Sequence, residues 1–210
     1  MSDDIFAAIE TGDLHRLSRL LREDADPNRP HLKLKYCPLH AAIFELDSGG
    51  PLEALDVLID AGADVNRVDG RVDGAPPLLA ALQDGQTAAA RKLLARGADP
   101  KIVGRLGDSP LRLCAERDDV EMAALLLDRG AVGTINEAGG LSGMNALGHA
   151  VSNLSSPMVD LLVRSGADPS ALDIDYQIAR SHLPKRTVEN AASYDRILEI
   201  LTRASNVEKT

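Results

Sequence analysis

Leu58-Ile59-Asp60-Ala61-Gly62-Ala63-Asp64-Val65-Asn66 is the stretch from which the rest of the chain can be laid out. It returns as Leu93-Leu94-Ala95-Arg96-Gly97-Ala98-Asp99-Pro100 and as Leu162-Val163-Arg164-Ser165-Gly166-Ala167-Asp168-Pro169. Leu126-Leu127-Asp128-Arg129-Gly130-Ala131 is a worn copy, and Leu20-Leu21-Arg22-Glu23-Asp24-Ala25-Asp26-Pro27-Asn28 carries aspartate in place of the glycine. The glycines at 62, 97, 130 and 166 are spaced by 35, 33 and 36 residues. A period of that size marks stacked structural repeats.

The phrase reads locally as the end of a helix. Two apolar residues finish the buried face, and glycine then takes the left-handed conformation at no steric cost. Asp24 suits the same position because aspartate tolerates that conformation better than most residues. Proline follows three residues later at 27, 100 and 169 and stops the helix from resuming.

Composition narrows the class. The 210 residues are 44% hydrophobic but only 2% aromatic, with no tryptophan, so the core must be built from small aliphatic side chains in short, close-packed helices. A formal net charge of −9 argues against a nucleic-acid or anionic-membrane binder. No apolar run approaches the length of a membrane span. Met1-Ser2-Asp3-Asp4 lacks the basic and apolar regions of a secretory signal, so a cytoplasmic location is expected. The excess of Arg over Lys, with abundant Ala, points to a GC-rich bacterial source. Cys37 and Cys114 are isolated thiols and read as reduced core residues, not as a disulfide framework or zinc site.

The apolar period predicts helices over 4–11 and 14–22, with Asp13 as N-cap of the second. Further pairs start at 37 and 52, at 76 and 87, at 109 and 120, and at 145 and 156. Pro38 suits the first turn of its helix. The tail reads as helices over 175–181 and 194–204, separated by an insertion at 183–192 without a counterpart in the repeats. Loop 29–36 alternates apolar and basic residues and reads as one arm of a short hairpin. Loop 136–143 is glycine-rich and reads as mobile. The repeats are thus expected at 4–35, 36–70, 71–104, 105–140, 141–172 and 173–204, in one domain over 1–204, with a disordered tail at 205–210.

These motifs resemble those of the ankyrin-repeat family, whose unit combines a T-P-L-H-x-A-A helix start with an L-L-x-x-G-A-D-x-N closure. Cys37-Pro38-Leu39-His40 matches the helix start at three of four positions. Pro76-Pro77-Leu78-Leu79 and Ser109-Pro110-Leu111-Arg112 match at two, and Asn145-Ala146-Leu147-Gly148 at one. The resemblance implies an all-α solenoid of about six helix-turn-helix units with divergent caps at both ends. It implies a non-catalytic protein–protein interaction module, an adaptor or scaffold, acting through a concave face of inner helices and inter-repeat loops. It implies a monomer with no cofactor or metal and no nucleic-acid or membrane partner. The alternative is an immunity or inhibitor protein that neutralises a cognate toxin or enzyme. A more distant one is an enzyme or regulatory subunit with a site in 134–149 or 183–192. Only His40 retains the family's structural imidazole, and Cys37 replaces its threonine, so weaker hydrogen bonding between repeats is expected.

Phase places the candidate partner-binding residues. On the first helices they are Phe44, Glu45, Gln83, Asp84, Glu116, Arg117, Ser152 and Asn153. On the loops they are Lys33, Lys35, Tyr36, Arg67, Arg71, Ile102, Arg105, Asp108 and Met144. Phe44 is expected to be exposed, either as an interface anchor or beneath the turn at 46–51. Loop 29–36 carries three basic residues and no acidic one, which would suit a partner with an acidic surface patch. Among His15, His31, His40, His149 and His182 no pair has metal-ligand spacing. His149 reads as a packed or partner-facing residue rather than a base. The glycines at 139–143 lack the lysine and preceding strand of a phosphate loop. The acidic turns at 47–49 and 69–74 lack a calcium-ligand run.

Overall fold

The structure is a computed structural model that describes residues 5–68, 70 and 74–207. Arg71 therefore lies outside the described residues. The fold is all-α, and the chain divides into two compact units between Arg105 and Leu106. The first unit contains α1 (Ile5–Glu10), α2 (Leu14–Arg22), α3 (Pro38–Glu45), α4 (Glu53–Asp60), α5 (Pro77–Gln83) and α6 (Thr87–Ala95). The second contains α7 (Pro110–Arg117), α8 (Val120–Asp128), α9 (Ala146–Ser152), α10 (Ser156–Arg164) and α11 (Ala191–Val207). In the first unit α1, α3 and α5 pack side by side, with α2 against α4. In the second, α7 packs on α9, α8 on α10, and α10 on α11.

Each helix pair is held by local chemistry that the sequence displays. Asp13 caps α2 by accepting from the Arg16 N–H at 2.9 Å, as its position predicts. Ser109, Asp119, Asn145 and Ser155 cap α7 to α10 in the same way. At the closures, Gly62, Gly97, Gly130 and Gly166 have φ between 92° and 102°, and Asp24 has φ 72°. The alanine that follows then donates backward into the helix, from Ala63 to Leu58 O, Ala98 to Leu93 O and Ala167 to Leu162 O, each at 2.9 Å. These are the bonds of a Schellman closure. The next aspartate turns the chain, Asp64 Oδ1 accepting from the Asn66 N–H at 2.9 Å and Asp99 Oδ1 from the Lys101 N–H at 2.9 Å.

Apolar faces supply the driving force. Leu17, Leu55, Leu58, Leu79 and Leu93 are wholly covered in the first unit, and Leu111, Met122, Leu126 and Leu162 in the second. Burying each such side chain is worth about 1.5–3 kcal/mol. Cys37 and Cys114 are free and buried, as expected. Burial, aided by Asp119, pushes the Cys114 thiol up to about 12.

Hydrogen bonding between repeats does not rest on the helix-start motif alone. Asn28, at the end of the first closure, donates to Gly62 O and accepts from the Asp64 N–H, both at 2.8 Å. Asn66 makes the same pair with Gly97 O at 3.5 Å and the Asp99 N–H at 2.8 Å. Asn136 accepts from the Asp168 N–H at 2.8 Å. Each carboxamide thus clasps the closure of the repeat after it.

Three readings of the sequence change. Loop 29–36 forms no paired strand. Its ends meet through His31 N–H to Tyr36 O at 2.8 Å, and Lys35 at φ 66° sets a tight reversal. The expected helix over 175–181 is instead a turn, pinned by a bridge between Leu172 and Ile178 and followed by a short 3-10 turn at Ala179–His182. Asp173 fixes it, accepting from the N–H groups of Asp175 at 2.9 Å and Gln177 at 2.8 Å, while its own N–H donates to Gln177 O at 3.0 Å and Tyr176 takes a left-handed φ of 59°, which a helix cannot run through. The 183–192 insertion prepares α11. Thr187 and Asn190 exchange side-chain-to-backbone bonds at 2.8 and 3.3 Å one turn before the helix. α11 then runs through Val207, beyond the expected end at 204.

Candidate functional site

The first unit gathers three of the chain's five phenylalanine and tyrosine rings, with two histidines, into one place. Phe6 of α1 meets His31 edge-on at 4.9 Å and Tyr36 at 5.8 Å. His31 stacks on Tyr36 at 5.7 Å. Phe44 of α3 meets Tyr36 edge-on at 5.7 Å and lies 6.4 Å from His40. Phase alone put Phe44 in solvent, yet it is half-buried, since the loop folds Tyr36 back onto it. His40 is buried and donates from Nε2 to Ala75 O at 2.7 Å, the structural role the resemblance implies. Edge-on pairs add about 0.5–1.5 kcal/mol each beyond burial, so the rings form a firm base under the loop.

On that base the loop turns its other residues outward. Leu32 is 75% exposed and Leu34 53% exposed, with Lys33 and Lys35 beside them. Gly70 donates its N–H to Lys35 O at 3.0 Å, which joins this loop to the next one, where Arg67 and Val68 are also exposed. Apolar and basic groups alternate along this edge of an acidic protein.

The other candidates divide. Glu45, Gln83, Ile102 and Met144 are half-buried, whereas Asp84, Arg105, Glu116, Arg117 and Ser152 are exposed. Asn153 and Asp108 are among those with internal work. Asn153 is exposed but its Nδ2 donates to Ala115 O at 3.1 Å and Glu116 O at 2.9 Å, tying α9 to α7. Asp108 pairs with Arg112, whose side chain is only 2% exposed.

The second unit rebuilds the lost helix-start imidazoles from other residues. In the fourth repeat Arg112 stands where the family has histidine. It pairs with Asp108, and its Nη1 lies 3.4 Å from His149 Nε2 and 3.5 Å from Ser142 Oγ. Ser142 Oγ is itself 2.9 Å from His149 Nε2. Burial holds His149 below its ordinary value; Glu116 opposes this, and Arg112 and His182 reinforce it. In the fifth repeat the position is Gly148, and the His182 ring fills the space above it, 3.2 Å from where a Cβ would stand. His182 donates to Asp173 Oδ2 at 2.6 Å. Burial would raise the Asp173 carboxyl, but the Gln177 N–H, His182 and the Asp175 N–H together hold it below the usual range. The glycine-rich loop is packed, with Gly140 donating to Leu106 O at 2.9 Å and lying against the Arg112 guanidinium.

Sequence reading missed Arg112, Ser142, Asp173 and the Asn28, Asn66 and Asn136 clasps as working residues. The imperfect helix starts at 109–112 and 145–148 were the available signal. Among the described residues no group of His, Cys, Asp and Glu is placed to hold a metal, and no helix is long and apolar enough to cross a membrane.

Comparison with known proteins bears on this arrangement. Residues 78–173 match the family described as Ankyrin repeats (3 copies), and residues 35–70 match Ankyrin repeat. An ankyrin repeat domain from Acinetobacter baumannii is similar over 96% of this chain and 97% of its own, with 27% identity and a TM-score of 0.78. The ankyrin repeat protein EF0377 covers 95% of this chain and 96% of its own at 26% identity and a TM-score of 0.74. A structure of a predatory endopeptidase from Bdellovibrio bacteriovorus in complex with an immunity protein contains a chain of similar fold. That chain is 22% identical, the match covers 95% of this chain and 96% of that one, and the TM-score is 0.70. With helix starts, closures and matched segments in phase, the chain belongs to the ankyrin-repeat proteins.

Proposed function

We propose that this protein binds a protein partner bearing an acidic, partly apolar surface, and that the first unit's loop edge at 29–36 is where it docks. Ankyrin repeats generally serve protein–protein interaction, and the observation that carries this reading is the loop itself. Leu32 and Leu34 stand exposed in alternation with Lys33 and Lys35, on a ring cluster that holds the loop in place. Exposed leucines supply area to bury, and the lysines steer an acidic partner in a manner that salt would screen. The role is that of an adaptor or scaffold. An inhibitor or immunity role is the second reading, and a fold of this kind does occur in a complex of an endopeptidase with an immunity protein.

Affinity capture of partners from the native cell, followed by titration of the captured protein, tests this. Changing Lys33 and Lys35 to Glu weakens binding more than changing Arg19 and Arg22, which lie on α2. Equal losses from the two double variants would reject the loop edge. A captured enzyme that loses activity on binding would select the inhibitor reading over the adaptor.

A further inference from the structure

The second unit has a loop edge of its own, opposite in charge to the first unit's. Leu172, Ile174 and Tyr176 stand exposed on the turn before the 3-10 segment, Tyr176 by 82%. Ile174 donates its N–H to Gly143 O at 3.2 Å and lies across that glycine, which joins the turn to the loop bearing the exposed Leu141. Apolar side chains grouped in water mark an interaction surface. Glu137 and Asp175 are exposed on the same two loops, and residues 134–145 and 170–179 contain no lysine or arginine.

The turn holds this display still. Tyr176 takes a left-handed φ of 59° and donates its N–H to Asp173 O at 3.1 Å. The Asp173 carboxylate accepts from the Asp175 and Gln177 N–H groups and is itself held by His182. A tyrosine fixed outward loses little freedom on binding, which suits it as an anchor. The chain itself carries a surface of the matching kind. Leu32 and Leu34 are exposed in alternation with Lys33 and Lys35, Arg67 and Val68 are exposed on the next loop, and residues 29–36 contain no acidic side chain. When the two edges meet, leucines cover Ile174 and Tyr176 while the lysines face Glu137 and Asp175.

We propose that the second unit's edge of one copy docks on the first unit's edge of another, so that the chain associates head to tail at high concentration and is not confined to the monomer its family resemblance implies. The two patches differ, so each contact leaves one edge free on each copy and further copies can add. Loop tips bury little area, which makes the contact weak and transient. A copy seated on loop 29–36 also competes with the partner proposed above; that consequence rests on the docking reading, whereas the self-contact does not.

Sedimentation velocity on the full chain, from about 10 μM to about 1 mM, tests the contact. The mean mass should rise with concentration past that of a dimer, and fall back as salt screens the charges. Leu32→Ser with Leu34→Ser removes one edge, and Ile174→Ser with Tyr176→Asn removes the other, asparagine being tolerant of the left-handed conformation. Each double variant alone should associate roughly thirtyfold more weakly, the equivalent of about 2 kcal/mol. Mixed in equal amounts they should form a dimer and nothing larger, because each keeps the edge the other lacks. Asp175→Lys changes only an exposed side chain and should weaken association too, which keeps the test intact if a double variant folds poorly. A monomer throughout the series overturns the proposal with no variant needed. Association that salt leaves unchanged, or that only one of the two folded double variants disturbs, overturns it as well. No partner enters these measurements, so a monomeric result leaves the proposed function standing.

Discussion

Replacing Asn28 by alanine should loosen the first two repeats by a calculable amount. The carboxamide makes two bonds to the next closure, both at 2.8 Å, one to Gly62 O and one from the Asp64 N–H. Both lie at exposed positions, so water can replace them and no buried orphan remains. At about 0.5–1 kcal/mol net for each bond, the loss is about 1–2 kcal/mol. Asn66 keeps one bond at 2.8 Å and a second at 3.5 Å, so Asn66→Ala costs less. Asn136→Ala loses one bond at 2.8 Å and costs about 0.5–1 kcal/mol. Asn28→Asp keeps the acceptor for Asp64 and loses the donor to Gly62, and should fall about halfway. Amide hydrogen exchange at Asp64, Asp99 and Asp168 reads each clasp separately, with urea unfolding as the global measure. Exchange at Asp64 should quicken roughly tenfold in Asn28→Ala, the equivalent of 1.4 kcal/mol. Unchanged exchange at Asp64, or a larger cost for Asn136→Ala than for Asn28→Ala, would show that the carboxamides do not carry the inter-repeat bonding.

Stability should depend on pH through two groups held below their ordinary values. His149 binds its proton more readily unfolded, near pH 6.5, so its contribution is whole above that pH and is lost as pH falls through the lowered folded value; urea midpoints across pH 5–8 should rise with pH, and His149→Gln should flatten them. Asp173 contributes above the ordinary carboxylate value near 4 and loses its part as pH falls through its lower folded value, so Asp173→Asn should flatten the acid limb instead. Gly62→Ala meets nothing within 4 Å, but φ 95° alone should cost about 1–2 kcal/mol. Gly140→Ala, at φ 66°, also brings a Cβ to 2.5 Å from Arg112 Cζ and Asp108 Oδ1, which adds about 1–3 kcal/mol of overpacking, and a thermal melt in which the two variants match would refute that difference.

Much of the fold could be read because its rules are local. A left-handed residue, the backward bond from the following alanine and the turn at the aspartate all lie within nine residues, and even Asp24 at φ 72° kept the pattern without its glycine. Helix caps such as Asp13 are equally local. What escaped depends on side chains meeting across distance. Phase gave the face on which Phe44 lies but not the ring that covers it, because Tyr36 arrives from a loop that read as an extended hairpin arm and instead reverses at Lys35. The tail failed for a related reason. Residues 175–181 read as a helix, but the left-handed turn at Tyr176 and the backbone bond from Asp173 N–H to Gln177 O override it, with the Asp173 carboxylate holding the turn closed.

The loss of the helix-start motif has a consequence for where a partner can bind. In a chain that keeps threonine and histidine at each helix start, neighbouring turns are tied at the buried root of each loop. Here the fourth repeat ties itself with Arg112, Asp108, Ser142 and His149, and the fifth with His182 and Asp173. These ties lie in and around the loops, so residues that phase would assign to a partner are used internally, Asp108 and Asn153 among them. The basic loop at 29–36 is arranged differently. Its internal bonds run through the backbone and the His31 and Tyr36 rings, while the lysine and leucine side chains stay exposed. A partner can therefore take hold of Leu32, Lys33, Leu34 and Lys35 without breaking a contact that holds the repeats together, whereas binding at Asp108 would compete with the Arg112 pair. This asymmetry, more than the charge of the loop alone, favours the first unit's edge as the docking surface.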